Sequence, residues 1–257
     1  MARLRLLIAY DGRPYAGWQS QPSGLTVQDT LEQAFPKILP DLPAPRLSAS
    51  GRTDAGVHAL GQVAHFDTPA GSTLPPEAWQ RALNVHLPPT IRIMSCAVVP
   101  DTFHSRFDAT GKTYQYRLWT GRVLPPLEAG LACHHPRPID FDVLAAACAA
   151  ISGTHDFSGF AAFRGNEDGS EDNVRTLWSV QPRRLGDLLE INFHGSGFLY
   201  KMVRLLMGAL LRVATGREPL CWLTDLLHRR VSGKCQHVAS ADGLYLISVD
   251  YPAETLS

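Results

Sequence analysis

Net charge is what this chain most plainly lacks: 24 Lys and Arg offset 24 Asp and Glu over 257 residues. That argues against a uniformly basic coat for nucleic acid. It leaves room for a local basic cleft, because phosphate binding depends on where the charges sit. Lysine is scarce as well. Lys37, Lys112, Lys201 and Lys234 are the four, so 20 of the 24 basic residues are arginines. Arginine suits bidentate phosphate contacts and can stack on bases, although arginine-biased codon usage would give the same excess. The five cysteines are scattered and include no CxxC pair, which indicates neither zinc nor a disulfide framework and fits a reducing, cytoplasmic setting. No apolar run approaches a membrane span, and the one in "MARLRLLIAYDG" is too short for a signal peptide. Repeats and low-complexity segments are absent too.

Familiar catalytic signatures are also missing. There is no GxSxG elbow and no HExxH helix, and Val57 stands where a phosphate-binding loop needs lysine.

What is present is an alternation of strands and helices. "LRLLIAY" predicts a first strand, closed by the turn-forming "DGRP". Val27, Leu31, Ala34, Phe35 and Ile38 recur at helical spacing behind Thr26, a natural N-cap, with Pro36 placed to kink or end that helix. "GQVAHFD" and "IRIMSCAVVP" read as strands flanking "PPEAWQRALNVHL", a helix opened by proline. "KTYQYRLWT" alternates Tyr114, Tyr116 and Leu118 on one face. "FDVLAAACAAIS" buries Leu144, Ala147, Cys148 and Ile151 in a helix, and "RTLWSVQPRRL" pairs with "DLLEINFHG" around Gly186-Asp187. "LYKMVRLLMGALLRVATG" is the strongest helix, ended by Gly216. "WLTDLLHRR" and "GLYLISVDY" close the chain as helix and strand. The length allows one large domain or two modest ones, and the expected halves are 1–108 and 109–257.

Two features call for chemistry. The strongest helix carries a narrow polar stripe of Lys201, Arg204, Gly208 and Arg212. An arginine on a helix buried around most of its girth needs a partner, either a structural carboxylate or helix end, or an acid in a polar cleft. The second feature is "SASGRTDAGVHALGQVAHF" (residues 48–66), where Gly51 and Gly56 bracket Arg52, Thr53 and Asp54. Glycines there let a bulky partner approach the main chain. An aspartate capping a short turn would also explain the pattern. Asp54, His58, His65 and Asp67 suggest a metal site only weakly, since Asp54 and His58 alone have ligand-pair spacing and lie in a loop. "SGFAAF" (residues 158–163) resembles part of an RNA-recognition strand signature, without its basic residue.

Five ordered blocks decide between these readings. "YDGRPYAGWQ", "GRTDAGVHALGQVAHF", "FHSRFDATGKTYQYRL", "MVRLLMGAL" and "ADGLYLISVDY" closely resemble the bacterial tRNA pseudouridine synthase A family and span nearly the whole chain. The resemblance implies an isomerase converting uridine to pseudouridine in the anticodon stem-loop of tRNA, with no cofactor and no metal. It implies that Asp54 is the catalytic aspartate, Arg204 its partner and Tyr114 the base-stacking tyrosine. It further implies that Arg52 meets the flipped-out nucleotide and that Leu244 lies near the target base. Arg106 is a further candidate substrate contact, and His58 is expected to have a structural or RNA-contacting role. The implied fold is α/β (α+β): two ferredoxin- or RNA-recognition-like halves sharing a long mixed, mainly antiparallel sheet with a central active-site cleft. A cytoplasmic homodimer, with tRNA touching both subunits, is implied too. This chain is short at both ends, so terminal RNA contacts of longer relatives are not carried over.

Overall fold

The computed structural model describes residues 1–162, 172–228 and 233–256. It is mixed α/β and forms two compact units, Met1–Gly111 with Tyr245–Ser257, and Lys112–Leu244.

The first unit is built on β1 (Arg3–Tyr10), whose strict alternation buries Leu4, Leu6, Ile8 and Tyr10. Thr26 caps α1 (Val27–Glu32) by accepting the Asp29 N–H at 3.1 Å. Pro36 resolves as the helix breaker it looked like. α1 stops ahead of it, and a separate turn, α2 (Phe35–Ile38), takes Pro36 into its first turn, where no N–H is needed. The short β2 (Ser48–Ala49) pairs with β3 (His58–Asp67). Then α3 (Pro76–His86) packs Trp79 against Phe35 and Phe66, with ring centroids 5.9 and 5.4 Å away. β4 (Ile91–Val99) and β3 flank β1, both antiparallel to it.

In the second unit, β5 (Gly111–Trp119) buries Tyr114, Tyr116 and Leu118. β6 (Cys133–His134) runs parallel beside it. α4 (Phe141–Ile151) is capped by Asp140 and buries the four residues expected of it. β7 (Gly153–Asp156), β8 (Val174–Leu185) and β9 (Leu188–Gly195) complete an antiparallel order β5-β9-β8-β7. α5 (Met202–Ala214) packs on α4 and on α6 (Leu220–Leu227). The closing strand, β10 (Leu244–Asp250), pairs Tyr245 and Leu246 in parallel with His58 and Ala59 of β3. Residues 245–257 therefore lie with the first unit, whereas the sequence reading assigned all of 109–257 to the second half.

Two local expectations change. The longest helix begins at Met202, since Lys201 takes a left-handed conformation (φ 56°) and turns the chain into it. The described part of "SGFAAF" is not a strand: it opens inside a 3-10 turn (Phe157–Phe160) with Phe160 fully buried, so that ring offers no surface to a base. Phe163, at the end of that segment, lies outside the described residues, as do Arg229 and Arg230 of "WLTDLLHRR".

Candidate active site

The aspartate loop, residues 51–57, is held from both sides by backbone contacts. At its entrance, Gln62 on β3 accepts from the Ser50 hydroxyl (2.8 Å) and donates to the Gly51 carbonyl (3.0 Å). Thr53 is buried, its hydroxyl 2.8 Å from the Tyr10 phenol, and its carbonyl accepts the Trp18 N–H at 3.1 Å. Burial pushes that phenol up to about 12, so Tyr10 stays protonated. The Asp54 carbonyl then accepts the Val57 N–H at 3.1 Å and closes the turn.

The other wall is the first motif, "YDGRPYAGWQ", and its glycines explain themselves here. A Cβ on Gly12 would sit 2.1 Å from the Val57 carbonyl oxygen, and one on Gly17 would sit 2.7 Å from that of Thr53. Gly17 also has φ +96°. Main chain lies against main chain, so any side chain at these positions pushes the aspartate loop away. The sequence reading missed this role. Two glycines five residues apart beside aromatics were the available signal, but they read as an ordinary turn.

The side chains on this loop divide cleanly. Arg52 is exposed and Asp54 half-buried, so a bulky partner can reach both. His58 is 1% exposed, with its ring stacked on Tyr245 at 4.5 Å. Its Nδ1 lies 3.2 Å from the Gly12 N–H and 3.3 Å from an Asp11 carboxylate oxygen. Of the two roles expected of His58, structural or RNA-contacting, these contacts fit the structural one, a brace at the end of the aspartate loop. Arg106 is exposed on the loop between β4 and β5, its N–H donated to His104 Nδ1 at 3.1 Å.

Tyr114, Arg204 and Leu244 all belong to the second unit. Tyr114 on β5 is 8% exposed and meets Phe198 edge-on at 5.0 Å. Arg204 lies in the first turn of α5, and its Nε donates to the Ala239 carbonyl at 2.8 Å. The Ala239 N–H returns the contact to the Arg204 carbonyl at 3.0 Å. This reciprocal pair fixes the guanidinium and pins residues 235–239 across the helix. Gly208 makes the crossing possible, since a Cβ there would fall 1.8 Å from the His237 carbonyl oxygen. The polar stripe thus resolves into distinct jobs, with Arg212 paired to Glu218 at 2.8 Å. The Tyr116 phenol donates to the Ser240 carbonyl at 2.9 Å, and the Arg117 N–H donates to that of Gly243 at 2.7 Å. Leu244, 5% exposed, is placed directly after these anchors. Among the described residues, no group of three or more His, Cys, Asp or Glu side chains could hold a metal ion. Nor is any described helix long and apolar enough to cross a membrane.

A family model described as tRNA pseudouridine synthase matches residues 6–108 and 147–252. The tRNA pseudouridine synthase A of Akkermansia muciniphila is 48% identical over 99% of this chain and 97% of its own length. That of Bordetella petrii is 43% identical over 99% of this chain and 93% of its own. Among solved structures, a chain from a Cbf5-Nop10-Gar1 complex aligns with a TM-score of 0.35 and 10% identity, covering 81% of this chain and 45% of that one.

Proposed function

Because the chain belongs to the tRNA pseudouridine synthase A family, we propose that its isomerisation of uridine to pseudouridine in tRNA runs through Asp54. The observation that carries this reading is the aspartate loop itself. It is clamped at its entrance, along its length and at its end, yet it leaves Arg52 exposed and Asp54 half-buried.

The reaction breaks the bond from the sugar C1′ to uracil N1 and forms one from C1′ to C5. N1 gains a proton and C5 gives its hydrogen to water, so atoms balance without oxidant, reductant or cofactor. An ionised carboxylate can carry this as a nucleophile, and the balance is the same whether it adds to the base or to the sugar carbon. Burial under a substrate would disfavour that charge, and a guanidinium in contact with it restores it. Arg204 has this role in our reading: its Nε bond to Ala239 orients the group ahead of substrate.

The uridine must leave its stack, at a cost of a few kcal/mol. Stacking on Tyr114, worth about 1–3 kcal/mol, and packing against Leu244 offset that, while Arg52 holds the flipped nucleotide's backbone. The substrate segment is the anticodon stem-loop, with Arg106 as an outer contact. The working form is a cytoplasmic homodimer, with the tRNA touching both subunits.

Nucleoside analysis of unmodified tRNA incubated with wild type and with Asp54→Asn tests this. Asp54→Asn should form no pseudouridine and still bind tRNA; a fully active variant rules out the nucleophile role.

A further inference from the structure

The loop "FHSRFD", residues 103–108, has a construction that an outer contact at Arg106 alone does not explain. Phe103 and Ser105 point inward, at 1% and 0% exposure, while Phe107 is 75% exposed. A single exposed phenylalanine is unremarkable on a protein surface. This one is braced. The His104 imidazole stacks on its ring at 4.3 Å and 30°. His104 Nδ1 accepts the N–H groups of both Arg106 and Phe107, at 3.1 and 3.3 Å. Asp108 closes the knuckle, its carboxylate accepting the His104 N–H at 2.8 Å and its own N–H donated to the His104 carbonyl at 3.1 Å. The Arg106 guanidinium stands 5.7 Å from the Phe107 ring centre.

The knuckle is also tied to the strand that leads into the aspartate loop. The Ser105 hydroxyl donates to the Ser48 carbonyl at 2.6 Å, and the Tyr251 phenol donates to the Ser105 carbonyl at 2.5 Å. Ser48 lies on β2, and the next residue after that strand, Ser50, is the first anchor of the aspartate loop. An aromatic ring with one side braced, a cation beside it and a fixed position is what recognition of a nucleotide requires: a π-face for the base and a charge for the phosphate.

We propose that Phe107, braced by His104 and flanked by Arg106, is a nucleotide-stacking contact for the tRNA substrate. Its ring takes an unpaired base and Arg106 the adjoining phosphate. The proposal rests on tRNA being the substrate. The test is equilibrium binding of an unmodified tRNA transcript to the full-length protein carrying Phe107→Ala, Phe107→Leu or Phe107→Trp. Phe107→Ala should weaken binding by about 5- to 150-fold, the range of one base–aromatic stack. Phe107→Leu should weaken it comparably, having bulk without a π-face, and Phe107→Trp should stay within about threefold of wild type. Arg106→Ala should lower the slope of log affinity against log salt by about 0.7–0.9, one phosphate's worth. Unchanged affinity in Phe107→Ala overturns the proposal. So does full affinity in Phe107→Leu, or a change of oligomeric state at unchanged affinity. Wild-type protein that binds tRNA but forms no pseudouridine refutes the functional reading instead and leaves the Phe107 comparison standing.

Discussion

His65 shows how much a single buried side chain can decide. It is 6% exposed, packed edge-on against Phe103 and His104, with Nδ1 2.9 Å from the Ser105 hydroxyl. Burial pushes its imidazole down from 6.5 to about 4. The unfolded chain therefore takes up a proton near pH 6.5 that the native fold refuses until about pH 4. Stability should be full above pH 6.5 and fall steadily as pH drops toward 4, by about 3 kcal/mol. Chemical denaturation of His65→Asn across that range should show a flatter slope than wild type; equal slopes would assign the acid sensitivity elsewhere. At this scale the sequence was informative about chemical type and poor about burial. Bracketing glycines drew attention to Asp54, and a charge interrupting an apolar helix to Arg204, but each pattern also fitted a structural role and only the family resemblance favoured the chemical one. His58 left two roles open, structural or RNA-contacting, because a motif histidine looks the same in sequence whether it faces solvent or, as here, lies flat on Tyr245.

Elements were the most legible scale, because strand alternation and helical spacing are local. The edges and contacts of elements were not, since they are set by distant backbone. Gly17 and Gly208 illustrate this: nothing near either in sequence announces that the Thr53 or His237 carbonyl will press against it. Gly17→Ala should cost about 2–4 kcal/mol in urea denaturation, combining left-handed strain with a backbone clash. Gly24→Ala is the matched control, with φ +66° but nothing within 4 Å of its Cβ, and should cost only about 1–2 kcal/mol. Equal losses in the two variants would mean that the close approach contributes nothing. Gly17→Ala should also depress activity more than its stability loss explains, because the wall it shifts holds the aspartate loop. At the other end of the chain, α5 starts three residues later than its apolar pattern suggests, because the turn at Lys201 precedes it.

For the whole molecule, composition framed the problem and left the assembly open. The return of residues 245–257 to the first unit depends on a strand pairing with β3 across nearly two hundred residues, which no local pattern encodes. Zero net charge means that tRNA affinity must come from placed arginines and aromatics rather than a diffuse field. Binding should weaken steeply with salt all the same. Chelator treatment should leave turnover unchanged, since the chemistry balances within the substrate and one carboxylate; loss of activity that zinc or magnesium restores would contradict the account. The most direct test of that chemistry uses unmodified tRNA carrying tritium at uracil C5. Wild-type protein should release one tritium to water for each pseudouridine formed, with the RNA chain intact and no uracil set loose, and Asp54→Asn should release none. Tritium release by Asp54→Asn at the wild-type rate, or loss of uracil from the tRNA, would contradict the mechanism.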